Sequence, residues 1–346
     1  MSASPATDGL NPDQLDAVVH EGGPLLVVAG AGSGKTRVLT HRIAHLVHEG
    51  VAPSRILAIT FTNKAAEEMR QRVAALVGPV ARTMWVSTFH SACVRMLRAN
   101  ADRLGYPRQF SIYDQADAVR LTGYVIRDLR LDAKRFTPRG VHATISRWKN
   151  ELRDPETAVA DAQHGYERKQ ADVYVEYQAR LAKAGAMDFD DLLVNTVRLL
   201  RGHPDVLEGY RERFQHILVD EYQDTNQAQN EIVLLLAGGH HNVCVVGDSD
   251  QSVYRFRGAD YRNILQFEEA FPDVTTVVLD QNYRSTQTIL DAANAVIANN
   301  AERKQADVYV EYQARLAKAG AMDFDDLLVN TVSLLRQHPD VLEGYR

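Results

Sequence analysis

The sequence predicts an α/β fold in which helices cover both faces of a parallel sheet and an all-helical segment is inserted. Short apolar runs alternate with helical patterns, which is typical of parallel strands joined by crossover helices. From Ser91 to Gly209 the pattern changes to helical periods with charged faces and no convincing strand. The predicted strands are residues 25–28, 56–61, 84–87, 214–219, 243–246 and 274–279.

Composition places the chain among ordinary globular proteins. Its 346 residues are enough for two domains, with 45% hydrophobic and 24% charged residues. No apolar stretch is long enough to cross a bilayer, and the N-terminus lacks a charged start followed by an apolar centre. Cys93 and Cys244 are too few for a disulfide framework or a metal site. We therefore expect a protein of the reducing cytoplasm with no membrane partner.

The charge is unevenly distributed along the chain. The net charge is −6, yet residues 91–150 contain 12 Lys and Arg residues against 5 Asp residues. A basic region on an acidic protein is a candidate surface for a nucleic-acid phosphate backbone. Solvated helix faces explain the same charges equally well, so composition leaves both interpretations open.

A glycine-rich turn follows the first predicted strand. Residues 29–36 read AGAGSGKT and lead into a helical stripe that is closed by Gly50. In this phosphate loop, backbone N–H groups can surround phosphate oxygens while Lys35 reaches the outer phosphates and the Thr36 hydroxyl reaches a metal ion. Ala29 stands where the strict pattern has glycine. The loop predicts a site for a nucleoside triphosphate with Mg²⁺.

An acidic turn, residues 220–226, follows the apolar run that ends at Val219. Asp220 is a candidate magnesium ligand, and Glu221 is a candidate for orienting the attacking water. The alternative is a solvated acidic turn after a core strand. The phosphate loop elsewhere in the chain favours the nucleotide interpretation.

The last 45 residues repeat an earlier segment almost unchanged. Residues 302–346 match residues 167–211 at 43 of 45 positions, the exceptions being Ser333 for Arg198 and Gln337 for Gly202. Solenoid repeats diverge and recur at least three times, so a recent duplication, a rearranged gene or an assembly artefact explains this near-identical pair better than a functional repeat does. We expect the second copy to be helical but poorly docked, or to compete with the first for one packing site.

Together the motifs resemble those of the superfamily 1A DNA helicases, the group of UvrD, Rep and PcrA. The resemblance covers residues 9 to about 301 and includes the sequence DEYQ at 220–223. It implies a RecA-like P-loop NTPase domain made of residues 1–90 and 212–280, with residues 91–211 as an inserted helical subdomain, here the insertion segment. Residues 281–301 would begin a second motor domain that the copied residues 302–346 cut short.

The resemblance assigns ATP and Mg²⁺ to named residues. It implies that Gln14 reads the adenine edge, Gln251 senses the γ-phosphate, Tyr283 lies against the base and Arg284 reaches the γ-phosphate. The implied catalytic residues are Lys35, Asp220, Glu221, Gln251 and Arg284, with Thr36 and Asp220 holding the metal. The remaining implied ATP-binding residues are Ala29, Gly30, Ala31, Gly32, Ser33, Gly34 and Arg37. Residues 188–193, DFDDLL, also fit the family, and we interpret them as a capped helix start without a catalytic role.

Three further segments are implied to contact single-stranded DNA. They contain Phe61, Thr62 and Asn63, then His90, and then Tyr254, Phe256 and Arg257. Aromatic faces stack on any base and therefore grip DNA without reading its sequence. Core packing is the alternative for the two aromatic residues of the third segment, and the arginines interleaved with them favour DNA.

The resemblance implies an ATP-dependent 3′ to 5′ DNA helicase that translocates along single strands and unwinds 3′-tailed duplexes, with a role in DNA repair. The later family motifs have no match in the sequence, so we expect half of a motor. The second hypothesis is a binding module that holds ATP and single-stranded DNA without unwinding. Repair proteins and self-association are the implied protein partners. A fused nuclease has little support because no acidic metal cluster follows the motor motifs.

Overall fold

A six-stranded parallel sheet organises the first of two units into which the chain divides. The computed structural model describes residues 5–248, 251 and 262–297. The units are Met1–Arg284 and Ser285–Arg346. Among the described residues, all strands belong to the first unit, and the second unit contributes one helix.

Strands and helices alternate along most of the first unit. The strands are β1 (Leu25–Ala29), β2 (Ile56–Thr60), β3 (Trp85–Thr88), β4 (Ser111–Tyr113), β5 (Ala186–Asp188), β6 (His216–Val219), β7 (Val243–Gly247) and β8 (Thr275–Leu279). The helices are α1 (Pro12–Val19), α2 (Lys35–His48), α3 (Asn63–Val77), α4 (Phe89–Asn100), α5 (Gln115–Asp128), α6 (Pro138–Asn150), α7 (Pro155–Ala160), α8 (Gly165–Lys183), α9 (Phe189–Gly202), α10 (Pro204–Arg213), α11 (Gln227–Ala237), α12 (Arg262–Ala270) and, in the second unit, α13 (Gln287–Ile297). Short 3₁₀ helices are Pro53–Arg55, Gly78–Thr83, Ala101–Leu104 and Tyr222–Asp224.

The main sheet has the strand order β3-β2-β6-β7-β1-β8, and all its pairings are parallel. Every predicted apolar run falls on one of these strands. The carboxyl ends of parallel strands meet at one edge of the sheet, which is where loops of such folds carry binding residues. The predicted α/β fold with a helix-flanked parallel sheet is confirmed.

Two hydrophobic cores cover the two faces of the sheet. Along β2, Leu57 and Ile59 enter one core, and Ile56 and Ala58 enter the other. Helices α4, α9 and α11 pack in the first core, and α2 and α3 pack in the second. Burial on both faces explains why the central strands β1, β2, β6 and β7 read as continuous apolar runs and do not alternate.

The insertion segment has a core of its own, but it is not entirely helical. Its helices pack around Trp148, Tyr174 and Tyr177. Strands β4 and β5 form a two-stranded parallel sheet in which Ser111 pairs with Ala186. The prediction of no strand between residues 91 and 209 is therefore wrong. Each strand has only three residues, which is too short to produce a recognisable pattern, and its partner lies far along the chain.

The DFDDLL sequence begins α9 with a capping box. The Asp188 carboxylate accepts a hydrogen bond from the Asp191 backbone N–H at 2.8 Å, and the Asp191 carboxylate accepts one from the Asp188 N–H at 3.1 Å. The prediction of a capped helix start is confirmed. The two carboxylates also flank a lysine that the sequence did not single out.

Lys149 is buried between these carboxylates. Its Nζ lies 2.7 Å from Asp188 Oδ2 and 2.7 Å from Asp191 Oδ1, and the Tyr177 hydroxyl donates to Asp188 Oδ2 at 2.7 Å. Burial alone would lower the pKa of Lys149, but the attraction of the two carboxylates outweighs burial and raises it. The lysine therefore stays charged and ties α6 to the start of α9.

Some predictions fall on residues outside the described ranges. They are the copied segment 302–346 and the predicted DNA contacts Tyr254, Phe256 and Arg257. Within the described ranges, no helix combines the length and apolar character needed to span a membrane.

We expect Lys149→Met to lower the free energy of unfolding by about 3–5 kcal/mol, because it leaves two buried carboxylates without their cation. Urea denaturation followed by circular dichroism measures this change. Lys169→Met is the matched control, since Lys169 lies 3.7 Å from Asp172 in an exposed pair and its loss should change stability by less than about 1 kcal/mol. Equal effects of the two substitutions would contradict a structural role for the buried lysine.

Candidate functional site

The phosphate loop turns sharply between β1 and α2. Gly32 and Gly34 have φ of 82° and 99°, in the left-handed region that favours glycine. A Cβ on Gly34 would approach the Gln14 side-chain nitrogen to 2.6 Å, so the site also lacks room for a side chain. The Ser33 hydroxyl donates to the Gly30 carbonyl at 2.7 Å and closes the turn. The loop thus ends at the N-terminus of α2, where backbone N–H groups are available to an anion.

Gln14 braces this loop from behind. Its Nε2 donates to the Ser33 carbonyl at 2.9 Å, and its Oε1 accepts from the Asn11 N–H at 3.3 Å. The side chain is buried within the capping box of α1. In this arrangement Gln14 positions the phosphate loop, and its predicted role as the adenine reader stays a prediction.

A cleft of about 170 Å³ opens in front of the loop. Four basic side chains reach it, and one acidic side chain faces them. Its lining residues are Ala31, Gly32, Gly34, Lys35, Thr36, Arg37, Arg72, Glu221, Gln251 and Arg284. This excess of positive charge in a concave site suits a polyphosphate.

The acidic turn faces the loop from the end of β6. Glu221 has φ of 51°, a left-handed conformation that is uncommon outside glycine. Its Oε2 lies 3.0 Å from Lys35 Nζ and accepts a hydrogen bond from Gln223 Nε2 at 2.8 Å. Backbone strain of this kind persists where surrounding contacts hold it, and it concentrates at functional sites.

Asp220 lies deeper than Glu221 and does not line the cleft directly. It is 7% exposed, and burial together with the neighbouring Glu221 raises its pKa to about 7, against the lowering effect of Lys35. A bound cation would relieve this penalty on the charged form. A buried carboxylate and the Thr36 hydroxyl are hard oxygen donors, so the residues present fit Mg²⁺.

The end of β7 is tied to the acidic turn by Gln223. Its Oε1 accepts a hydrogen bond from the Asp248 N–H at 2.9 Å. The Gln251 N–H donates to the Asp248 carbonyl at 3.0 Å, and the Gln251 amide also bonds the Asp248 carboxylate. These contacts place Gln251 at the cleft beside Glu221.

Residues 281–284 close the cleft from the side of β8. The Tyr283 N–H donates to the Gly32 carbonyl at 2.9 Å, and the Asn282 side chain donates to the Ala31 carbonyl. A Cβ on Gly32 would come within 2.6 Å of the Arg284 Cβ, so this close approach requires glycine. The Tyr283 ring is 58% exposed and lies outside the cleft lining.

Arg37 lines the cleft but is held on its outer side. Its guanidinium donates to the Gly9 carbonyl at 2.9 Å and to the Asp8 carbonyl at 3.5 Å. This anchoring draws the N-terminal segment onto α2. Arg37 therefore has a structural task in addition to its predicted contact with ATP.

Sequence reasoning missed two residues that belong to this site. Arg72 reaches the cleft from α3, where it also pairs with Glu68 one turn earlier. Asn282 contacts the phosphate loop directly. Arg72 lies in a helix of ordinary charged composition, so only its position shortly after the predicted DNA contacts Phe61, Thr62 and Asn63 could have indicated its role. Asn282 directly precedes the predicted site residues Tyr283 and Arg284, and this position in the sequence could have indicated its role.

A group of aromatic side chains lies at the carboxyl ends of β2 and β3, where a residue of the insertion segment joins them. Half-buried Phe61 follows β2, half-buried His90 follows β3, and Phe189 follows β5. The rings of His90 and Phe189 meet edge to face at 5.7 Å, and Phe189 is 51% exposed. We call these three residues the aromatic edge. Phe189 was not predicted, because its DFDDLL context explains the residue equally well as part of a helix start.

Two polar residues accompany the aromatic edge. Thr62 caps α3 by accepting a hydrogen bond from the Ala65 N–H at 3.1 Å, and Asn63 is the exposed first residue of that helix. Burial lowers the pKa of His90, so its ring is neutral at physiological pH and offers a stacking surface more than a charge. The edge therefore presents rings and exposed polar groups together.

Sequence comparisons with known proteins agree with this geometry. The model of the family "UvrD/REP helicase N-terminal domain" matches residues 10–272 and 276–346. The ATP-dependent DNA helicase PcrA of Bacillus subtilis is 54% identical over 88% of this chain and 41% of its own length. The ATP-dependent DNA helicase UvrD1 of Mycobacterium tuberculosis is 56% identical over 88% of this chain and 41% of its own length.

PcrA of Staphylococcus aureus is 54% identical over 85% of this chain and 40% of its own length. The chain thus spans about two fifths of the length of the relatives that it matches. The matched region includes the phosphate loop, the acidic turn and the aromatic edge. The chain belongs to the UvrD/REP helicase N-terminal domain family.

Proposed function

We propose that the chain binds Mg²⁺-ATP in the cleft and single-stranded DNA along the aromatic edge, as the nucleotide-binding part of an ATP-dependent 3′ to 5′ DNA helicase. The observation that carries this proposal is the convergence of Lys35, Arg72 and Arg284 opposite Glu221 in one cleft at the phosphate loop. Such an enzyme would work in the cytoplasm on 3′-tailed duplexes, for example during DNA repair.

Each group in the cleft has a chemical role in this proposal. Lys35 would neutralise the β- and γ-phosphates, and Glu221 would orient or deprotonate the attacking water. Thr36 and Asp220 would hold Mg²⁺, which would supply positive charge to stabilise the negative charge of the phosphates. Gln251, beside Glu221, would sense whether the γ-phosphate is present.

The ion pair between Lys35 and Glu221 would break when a nucleotide binds, because Lys35 would contact the phosphate in its place. Without a phosphate, the 3.0 Å contact between Lys35 Nζ and Glu221 Oε2 balances both charges. A γ-phosphate would attract Lys35 and leave Glu221 available to a water molecule. The hydrogen bond from Gln223 would then keep the Glu221 carboxylate in place.

The two arginines would act on the transferring phosphoryl group. Charge spreads over its equatorial oxygens in the transition state, and an arginine there contributes a factor of about 10³ or more to the rate. Arg284 approaches from residues 281–284, and Arg72 approaches from α3. Tyr283 and Gln14 would meet the base beyond the loop.

The aromatic edge would hold single-stranded DNA without reading its sequence. Phe189 exposes a ring on which one base can stack, and the His90 ring packs against it edge to face. Phe61, Thr62 and Asn63 would contact the strand at the end of β2. Tyr254, Phe256 and Arg257, which lie outside the described residues, are proposed as further DNA contacts.

The second candidate is a module that binds ATP and single-stranded DNA but does not unwind duplexes. The observation that favours it is that the cleft and the aromatic edge both lie among residues 5–284, so binding of the two ligands uses groups within one unit. Strand separation of a 3′-tailed duplex, driven by ATP and the purified chain, distinguishes the two candidates. Unwinding would exclude the module, whereas tight binding of both ligands without unwinding would support it. Chemical crosslinking of the chain, alone and with repair proteins, tests the expected self-association and partners.

Lys35→Ala should weaken Mg²⁺-ATP binding by about tenfold or more and abolish turnover, because a charge-assisted bond to phosphate contributes roughly 1.5–3 kcal/mol. Hydrolysis assays with and without single-stranded DNA, together with equilibrium nucleotide binding, measure both effects. Lys169→Ala on the exposed face of α8 is the control, and circular dichroism checks that each variant is folded. Undiminished binding by Lys35→Ala would show that the cleft is assigned wrongly.

Nucleotide binding should depend on pH through Asp220. Its pKa of about 7 means that the carboxyl is largely protonated below neutrality, whereas a metal ligand must be ionised. Metal-dependent ADP affinity should therefore rise by about tenfold between about pH 6 and pH 8. The same titrations in EDTA report the ionisation of ADP itself, and Asp220→Asn should remove the additional dependence. A wild-type profile equal to the EDTA profile would contradict the assignment.

Phe189→Ala should weaken binding of oligo-dT by about tenfold, since stacking of one base on an aromatic ring contributes roughly 1–3 kcal/mol. Fluorescence anisotropy at fixed salt measures the affinity, because salt alone changes it strongly. Tyr124→Ala is the matched control, since Tyr124 on α5 is 46% exposed but lies outside the aromatic edge. If both variants bind alike, the DNA does not use Phe189.

A further inference from the structure

The acidic turn is held by a side chain from the insertion segment. Asn226 Nδ2 donates to Asn150 Oδ1 at 2.5 Å, and the two amides are 7% and 9% exposed. Asn150 is the last residue of α6, and Asn226 is the last residue of the acidic turn. This bond therefore joins the turn that carries Glu221 to a different part of the chain.

Both amides are fully oriented by further bonds. Asn226 Oδ1 caps α11 by accepting from the Gln229 N–H at 2.9 Å. Asn150 Nδ2 donates to the Ser146 carbonyl at 2.8 Å and to Asp190 Oδ1 at 3.1 Å. Because each amide oxygen and nitrogen has its own partner, neither side chain can rotate without breaking several bonds.

On one side the link leads to the aromatic edge. Asp190, which bonds to Asn150, directly follows exposed Phe189 in the first turn of α9. That turn is rigid, because its capping box is locked and Lys149, the neighbour of Asn150, binds Asp188 and Asp191. A displacement of Phe189 would therefore move the whole turn together with Asp190.

On the other side the link leads to Glu221. The Asp224 N–H donates to the Glu221 carbonyl at 3.0 Å, and the Thr225 hydroxyl donates to the Tyr222 carbonyl at 2.6 Å. Asn263 Nδ2, from α12, donates to the Thr225 carbonyl at 2.7 Å. These bonds make the acidic turn one connected piece, so a change at Asn226 reaches the strained Glu221.

We propose that Asn150 and Asn226 are positioning residues that couple the occupancy of the aromatic edge by single-stranded DNA to the placement of Glu221 at the nucleotide. Neither residue lines the cleft or belongs to the aromatic edge. The coupling rests on the proposed ATP and DNA sites and adds a path between them through the insertion segment. By linkage, DNA must change nucleotide affinity by the same factor as nucleotide changes DNA affinity.

The experiment uses the full chain and two variants that remove the bond from opposite ends. Asn150→Ala removes the acceptor. Asn226→Ser removes the amide donor and shortens the side chain, but it keeps a side-chain oxygen that can cap α11, so the helix start is preserved. Asn100→Ala is the matched control, because Asn100 is the last residue of α4 and donates to the Met96 carbonyl one turn back at 2.9 Å, as Asn150 does to Ser146.

The measurement is the dissociation constant of a fluorescent, non-hydrolysable Mg²⁺-ATP analogue with and without saturating oligo-dT. In the wild type and in Asn100→Ala, the ratio of the two constants should be about fivefold or more. In Asn150→Ala and Asn226→Ser the ratio should fall towards one. The double variant should match the single ones, since both remove one bond.

Each outcome decides between the proposals. A ratio of one in the wild type would contradict the coupling but not the two binding sites. A ratio in Asn150→Ala and Asn226→Ser equal to that of the wild type would do the same. Equal losses of affinity with and without DNA would indicate a purely structural bond and would also overturn it. If the wild type binds no nucleotide or no oligo-dT, the proposed function fails together with the inference.

Discussion

Parallel pairing of the six strands is the constraint on which the rest of the structure depends. The order β3-β2-β6-β7-β1-β8 places β1, β7 and β6 side by side, so the loops after their carboxyl ends converge on one cleft. The same order places β2 and β3 directly beyond β6. The aromatic edge and the acidic turn thus occupy one edge of the sheet, although they derive from distant parts of the chain.

Charge is distributed in two different ways in this molecule. In the insertion segment, Lys149 is 1% exposed and matched by two carboxylates, an arrangement that stabilises packing. In the cleft, Lys35 faces a Glu221 side chain that is 36% exposed, beside three arginines, and the protonatable Asp220 lies deeper than Glu221. The first set is complete by itself. The second has more basic than acidic side chains at the cleft, which suits the phosphate ligand that we propose for it.

Much of this site follows from local patterns. The apolar runs predict the strands, because strands buried on both faces need apolar residues throughout. Gly32 and Gly34 mark the phosphate loop, since the turn needs left-handed backbone and close approach. Asp188 marks the start of α9 for the same short-range reason, because a side-chain oxygen satisfies backbone N–H groups within one turn. Each of these signals is confined to a few neighbouring residues.

The sequence by itself therefore determined the secondary structure around the site and most residues of the cleft. Only the tertiary structure decided which distant groups meet: Arg72 at the cleft, Phe189 against His90, and Asn150 against Asn226. It also decided that β4 and β5 pair within the insertion segment. The physical reason is that hydrophobic periodicity, capping and glycine conformation act over one or two turns of chain. Contacts between remote side chains depend on how complete helices and strands pack, which no local pattern encodes.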